Sequence, residues 1–536
     1  MKTSLTCITL LAVLSAPLVT IGQSWDDVSL YSSSQRDEIF ESVKDKDDNT
    51  YWLGIFEGEL KIGDVTVKNE DGVNCSVLFK KKSNGDIDWV AQMGMGKTTD
   101  GAVAFSMYLN EKTSEIMVTG ALANNTNITF TNPKGSDVIA KSTTSDRQFD
   151  AIYGLDGEVK SVTVFSSSVQ RELWMFDRTS SDMLQTQTID GELNLSKGPL
   201  GGTMTWSTPF KGATEVTDVH IAKDGRIAVV GDFESAVEIG DSSYTATGAS
   251  NTFIAILDKN GTVLTSDYLE ANFVADQEIC IEGSAVFLVG FFDRFMRWRG
   301  EIKHGGDVTA LVHFNIDPKS NLRLQASTTI RSDPFTPEDI QSYGKHVIVA
   351  GRAFDYVLHT DGTSDDFQYT NGSADGSLAF YDTTEKKVTS FLMGGADGTA
   401  QEKLNTLEIL SNGKVLAGGW AFGGDGDITF GSFTLKGKDQ QDMVIASTKL
   451  TAVGLNEKVQ HTTAPTMYPN PAHQSIQFGQ DITVEHLKIL DTHGRVIQDK
   501  ASITNQSIDI SALPTGVYIL EGLSESRTFH VQFIKT

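Results

Sequence analysis

The stretch Val216-Thr-Asp-Val-His-Ile-Ala-Lys-Asp-Gly-Arg-Ile-Ala-Val-Val-Gly-Asp-Phe233 constrains the chain more than any other. An alternating strand runs into a tight Asp224-Gly225 turn, and a β-branched strand then stops at Gly231. Seven copies of this unit are read between residue 24 and about residue 450. Their second strands are Tyr51–Gly54, Ile116–Gly120, Val162–Ser166, Ile227–Gly231, Val286–Gly290, Val347–Gly351 and Val415–Gly418. The third copy departs from the pattern, with Ser166 in place of glycine and a short interval before it.

Downstream of the anchor a third strand recurs, as in Phe253–Leu257 or Ala310–Phe314, and a fourth where a turn such as Asn260-Gly261 permits. Four short strands in roughly 60 residues is the arithmetic of a propeller blade carrying one inserted hairpin. One such sheet cannot cover both its faces, so neighbours must stack around an axis. The orphan strand Trp25–Tyr31 precedes the first unit, while the last unit stops near Leu450 without a fourth strand. Pairing the two removes both exposed edges and closes a ring. The expectation is an all-β chain: a seven-bladed β-propeller over 23–450, then a small Ig-like Greek-key β-sandwich. The repeat resembles the secreted bacterial propeller repeats of the SBBP kind.

Forty-nine glycines against 11 prolines suit short strands and many turns. The net charge of −26 opposes broad affinity for nucleic acid or anionic membrane. Residues 1–22 read as a secretory signal, with Lys2 ahead of an apolar run and small residues at Thr20 and Gly22. No later run is long and apolar enough for a membrane helix. Cys75 and Cys280 stand in different repeats and are expected as buried free thiols.

After a polar linker (451–466), Tyr468-Pro469-Asn470-Pro471 opens a run of short strands. A turn at Asp491–Arg495 containing Gly494 follows, then Leu513-Pro514-Thr515-Gly516-Val517-Tyr518 and a terminal Lys535. In that order these residues resemble the type A C-terminal sorting domain of the type IX (Por) secretion system of Bacteroidota. The resemblance implies export through the periplasm by that machinery. It also implies a mature protein released outside the cell or attached to its surface.

Enzyme signatures are missing from the sequence: no Gly-x-Ser-x-Gly, His-Glu-x-x-His, Walker loop or Cys-x-x-Cys. No cofactor is expected. Calcium is weighed at Asp45–Asn49 and at Gly424–Asp427, where turn chemistry is preferred. His313 reads as a core residue. One acid precedes each first strand: Asp37, Asp100, Asp146, Glu215, Asp276, Asp339 and Glu402. These would ring one mouth of the channel and favour a cation or basic ligand, or they are repeated turn chemistry. Arg297-Trp298-Arg299 could stack and hold an anionic sugar, or its Trp is core between blades. The function expected is binding of an extracellular glycan or protein partner. The alternatives are a hydrolase or lyase at a channel mouth and a structural surface protein.

Overall fold

The computed structural model describes residues 24–450 and 467–536, apart from residues 34 and 439 and the segments 70–73, 96–101, 123–126, 142–145, 167–171, 178–179, 200–201, 247–248, 331–334, 355–373, 397–400, 424–426, 479–483, 492–495, 504–506 and 525–526. The signal segment 1–22 and the linker 451–466 thus lie outside the described residues. The chain parts into two compact units between Thr451 and Ala452. Every regular element among the described residues is a strand.

In the first unit, strands pair antiparallel in runs of four. The innermost strands are Glu38–Lys44, Ala102–Asn110, Glu172–Phe176, Trp206–Ile221, Phe273–Glu282, Thr336–Tyr343 and Gln401–Ile409. Each touches the next in that order, and Gln401–Ile409 touches Glu38–Lys44, so the inner strands close a cycle. The unit is a β-propeller. Antiparallel pairing in fours sends every inner strand the same way, so all enter the ring at one end.

The ring is fastened as expected. Trp25–Tyr31 pairs with Gln441–Lys449 as the outer strand of the Gln401 blade, from Trp25 opposite Thr448 to Tyr31 opposite Met443. The Trp25 indole donates to the Met393 carbonyl at 2.8 Å and meets Phe430 edge-on.

Val159–Ser166 requires a correction. It is the outer strand of the Ala102 blade, pairing with Asp146–Gly154 only, and not a second strand of a new unit. The next blade begins at Glu172–Phe176 and continues through Met183–Ile189 and Glu192–Gly198 to the first half of Trp206–Ile221. The second half of that long strand is the inner strand of the following blade.

Inserted hairpins clasp neighbouring blades. Asn127–Phe130 with Val138–Lys141 extends the preceding blade beyond Ile87–Met95. Phe295–Trp298 with Glu301–Gly305 does the same beyond Val263–Ala271. Asp427–Phe430 with Phe433–Lys436 repeats it beyond Lys387–Ala396.

The recurring glycine of the second strand follows from a recurring β-bulge. Inner strands bulge at Ile39/Glu41, Ala104/Ser106, Val216/Asp218, Pro337/Asp339 and Leu404/Thr406. Opposite each bulge the backbones come so close that a side chain would collide. A Cβ on Gly54, Gly231 or Gly351 would run into the carbonyl of Glu38, Glu215 or Thr336. Between blades, large side chains fill the space: Trp52 is fully buried, and a Cβ on Gly418 would lie 2.5 Å from its ring.

The second unit is a sandwich. Met467–Tyr468, Ser475–Phe478 and Ser507–Asp509 form one sheet. Val484–Asp491, Val496–Ile503, Gly516–Ser524 and Arg527–Lys535 form the other. They share one core that includes Ile476, Leu487, Ile508, Leu513, Leu520 and Phe533.

Candidate functional site

The bulge decides which side chains the inner strands offer to the axis. The residue following it is Glu41, Ser106, Asp218, Glu278, Asp339 or Thr406, depending on the blade. Burial, joined by the charges of Asp339, Glu408 and Asp218, holds the Glu41 carboxyl well above its usual range. Those three acids belong to other blades, Glu408 to the one adjoining Glu41's at the ring closure. Burial raises Asp339 to about 7 and Asp218 to about 6. Glu278 is also pushed well up, first by burial and then by the neighbouring Asp218, to which it hydrogen-bonds.

Two of these carboxylates also stitch blades together. Asp218 Oδ2 accepts from Ile279 N at 2.8 Å, and Asp339 Oδ2 accepts from Leu407 N at 2.7 Å. At the ring closure the same joint is made by hydroxyls, Thr406 Oγ1 to Ser42 Oγ at 2.7 Å. A carboxylate accepting backbone N–H bonds is a structural part as well as a charge.

Of the acids singled out by position ahead of a strand, only Asp339 lies in this axial set. Asp37 and Glu402 are wholly buried. Glu215 and Asp276 are exposed at the entry end. Asp146 opens the third strand of the Ala102 blade and so precedes no inner strand. Asp100 lies outside the described residues. The axial acids Glu41, Asp218 and Glu278 were missed although their signal is present. Aligning Phe-Glu-Ser-Val (40–43), Thr-Asp-Val-His (217–220), Gln-Glu-Ile-Cys (277–280) and Glu-Asp-Ile-Gln (338–341) brings one acid to the same place.

At the entry end two large aromatics remain open: Phe105, 50% exposed at a bulge, and Phe273, 52% exposed at the start of its strand. Arg297, Trp298 and Arg299 lie elsewhere, on the hairpin clasping Val263–Ala271. Arg297 pairs with Glu270 at 2.9 Å and Arg299 with Asp267 at 2.8 Å. The Trp298 indole donates to Asp267 at 3.1 Å, and Met296 beside it is fully buried. Their charges and donors are engaged in holding the hairpin down.

Asp45 fills its oxygens with protein donors: Asp47 N, Asn49 N, the Asn49 amide and the Tyr51 hydroxyl. That is a turn satisfied from within. His313 is buried, stacks on Phe287 and lies 3.2 Å from the Tyr381 hydroxyl. Burial first, then Lys386, lowers its pKa to about 4, so it is neutral. Cys75 and Cys280 are both free and buried. A shallow cleft of about 370 Å³ lies on the outside of the ring between Val65–Lys68, Val90, Gln92 and Thr131–Pro133.

In the sandwich the motif residues converge on the end of the last strand. Tyr468 pairs with Gln477. Beyond the exposed Pro469, Asn470 Oδ1 accepts from Ile534 N at 2.9 Å. After the cis Asn470–Pro471 bond, Ala472 bridges Lys535. Leu513 is buried, and the Tyr518 hydroxyl donates back to the Pro514 carbonyl across Gly516 at 3.0 Å. Gly494 lies outside the described residues.

Residues 466–536 match the family model of the secretion system C-terminal sorting domain. The tail is such a sorting domain. It marks this as a protein of the type IX route, secreted or attached to the cell surface. No curated protein sequence matches the chain. Solved structures with similarity include Drosophila plexin A in complex with semaphorin 1b, at 9% identity over 80% of this chain and 88% of that one, TM-score 0.37. A Dyadobacter fermentans protein of unknown function has 10% identity over 80% and 100%, TM-score 0.34. The propeller domain of Myceliophteria thermophila Cps50 (Swd1) has 8% identity over 74% and 96%, TM-score 0.33. The sorting domain thus supplies the route, and strand pairing supplies the propeller.

Proposed function

We propose that this is an exported seven-bladed propeller that binds an extracellular partner at the entry end of its ring. The seven-blade count is supported by the cyclic contacts of the inner strands. The observation that carries the binding reading is the pair of exposed rings, Phe105 and Phe273, on strands whose other described apolar side chains are buried or half-buried. Exposed Glu215 and Asp276 share that end, and the axial carboxylates add negative potential behind it. The partner that fits is a protein segment carrying basic and apolar side chains.

The mature secreted protein, probed with immobilised basic peptides and with a glycan array, tests this. Peptide binding weakened at least tenfold by Phe105→Ala with Phe273→Ala is the expected outcome. Retention of a glycan, or peptide binding indifferent to both changes, would count against it. A second reading has its own support. Asp218 and Glu278 are a hydrogen-bonded carboxyl pair with raised pKa values, an arrangement suited to acid–base work. Turnover of a polysaccharide or peptide that Glu278→Gln abolishes would favour that hydrolase or lyase.

A further inference from the structure

Four inserted hairpins lie between the second and third strands of their blades and extend the outer strand of the blade before. Three begin at Asn127, Phe295 and Asp427. The fourth is the far end of Ile227–Ile239 with Ser242–Thr245, where Ile239 pairs with Phe210 of the Glu172 blade. The Glu172 blade itself carries no insertion. Asp190-Gly191 alone joins its second and third strands, with Ile189 opposite Glu192. It therefore has no such hairpin to send back to the Ala102 blade, whose outer strand Val159–Ser166 pairs only with Asp146–Gly154 among the described residues.

Strand register gives the faces that meet at this joint. Phe176 and Met183 pack with Met117, Tyr108 and Ile152 of the Ala102 blade. Alternation puts Gln185 and Gln187 on the face of Met183, and Ser196 and Ser207 continue the row of Gln185 across the sheet. On the facing wall Ser161 and Thr163 stand opposite Ile152 and Asp150. Ser161, Thr163 and Ser207 are exposed, so the outer part of the joint is open to water. The polar row is satisfied within its own blade: Gln187 Nε2 donates to Ser196 Oγ at 2.7 Å, and the Ser196 and Ser207 hydroxyls lie 2.7 Å apart. Parting the walls breaks neither bond and bares one small apolar cluster. The joint between the Trp206 and Phe273 blades, by contrast, buries a core that includes Val230, Ile254, Leu269, Phe292 and Phe314. Leu184, Leu195 and Phe210 likewise fasten the Glu172 blade to the Trp206 blade. The cost of opening follows the apolar area exposed.

We propose that the ring has a seam at this joint: the Ala102 and Glu172 blades part from one another while the closure made by Trp25–Tyr31 stays shut. The Glu172 blade moves with the Trp206 blade, to which one continuous strand and a shared core bind it. Parting gives the axis a lateral approach in addition to the entry end. The seam does not depend on what binds at the entry-end aromatics.

The test is thiol labelling of the mature secreted protein under native conditions, each rate divided by that of the denatured chain. Two buried native thiols report other joints. Cys75 shares a core with Leu416 and Met443 of the closing blade, and Cys280 with Val347 and Val349 of the Thr336 blade. Ser196→Cys puts a third thiol, wholly buried, on the seam face, and Gln185→Cys does so one strand away should the first variant not fold. Either is expected to label at least about tenfold faster than Cys75 and Cys280 in the same molecule. Thr186→Cys, buried on the opposite face of the same strand, should label as slowly as they do. Seam thiols protected as well as the native pair would overturn the proposal, as would Cys75 labelling first. Fast labelling of Thr186→Cys would also overturn it, because the blade would then be melting rather than parting from its neighbour.

Discussion

At the scale of single residues, the repeat owes its visibility to a collision avoided. Gly54, Gly231 and Gly351 recur because a bulged strand presses a carbonyl against them, and this made the repeat legible in sequence before the bulge was known. Gly231→Ala is expected to cost about 1–3 kcal/mol through overpacking, read as a lowered denaturant midpoint with unchanged slope. The axial acids carry a pH signature. Folding raises Asp218 to about 6 and Asp339 to about 7, so between roughly pH 4 and 7 the folded chain holds more protons than the unfolded one. Their contribution to stability is complete below the unfolded pKa and is lost as pH rises through the folded values. Asp339→Asn, which can still accept from Leu407 N, should flatten that decline in urea midpoints measured across the window. A decline identical to wild type would show that Asp339 does not titrate there.

At the scale of elements, strands with strong alternation were readable and strands with weak alternation were not. Met183–Ile189 is mostly polar, carries no glycine and joins Glu192–Gly198 through the two-residue turn Asp190-Gly191, so its blade lacks both the anchor and the inserted hairpin. The β-rich outer strand Val159–Ser166 stood in for it. Placement of the acids failed for a related reason. Position along a sequence does not reveal a bulge, and each bulge turns the following residue to the axis. The closing strand, by contrast, was legible as an orphan that needed a partner. Trp25 is buried between the blade it completes and the neighbouring Thr336 blade, whose Phe430 meets its ring, so Trp25→Ala should cost roughly 3–5 kcal/mol in chemical unfolding. Loss comparable to a surface substitution would mean the strand adds little to closure.

At the scale of the whole molecule, two compact units divide the labour between a ring and an address. The address is a folded surface: Asn470 and Ala472 are joined at one end of the sandwich to Ile534 and Lys535, which are distant from them in sequence. Removing 467–536 should abolish display at the cell surface while a periplasmic pool of folded ring accumulates, followed by surface labelling and fractionation. Undiminished display would separate the sorting domain from export.

The strand that begins the ring waits for Met443–Thr448 before it has a neighbour, and the sorting domain is synthesised only after that neighbour. A polypeptide cut short before the final blade therefore carries neither a finished circle nor a ticket out. Chain order alone makes the passport conditional on the cargo being whole.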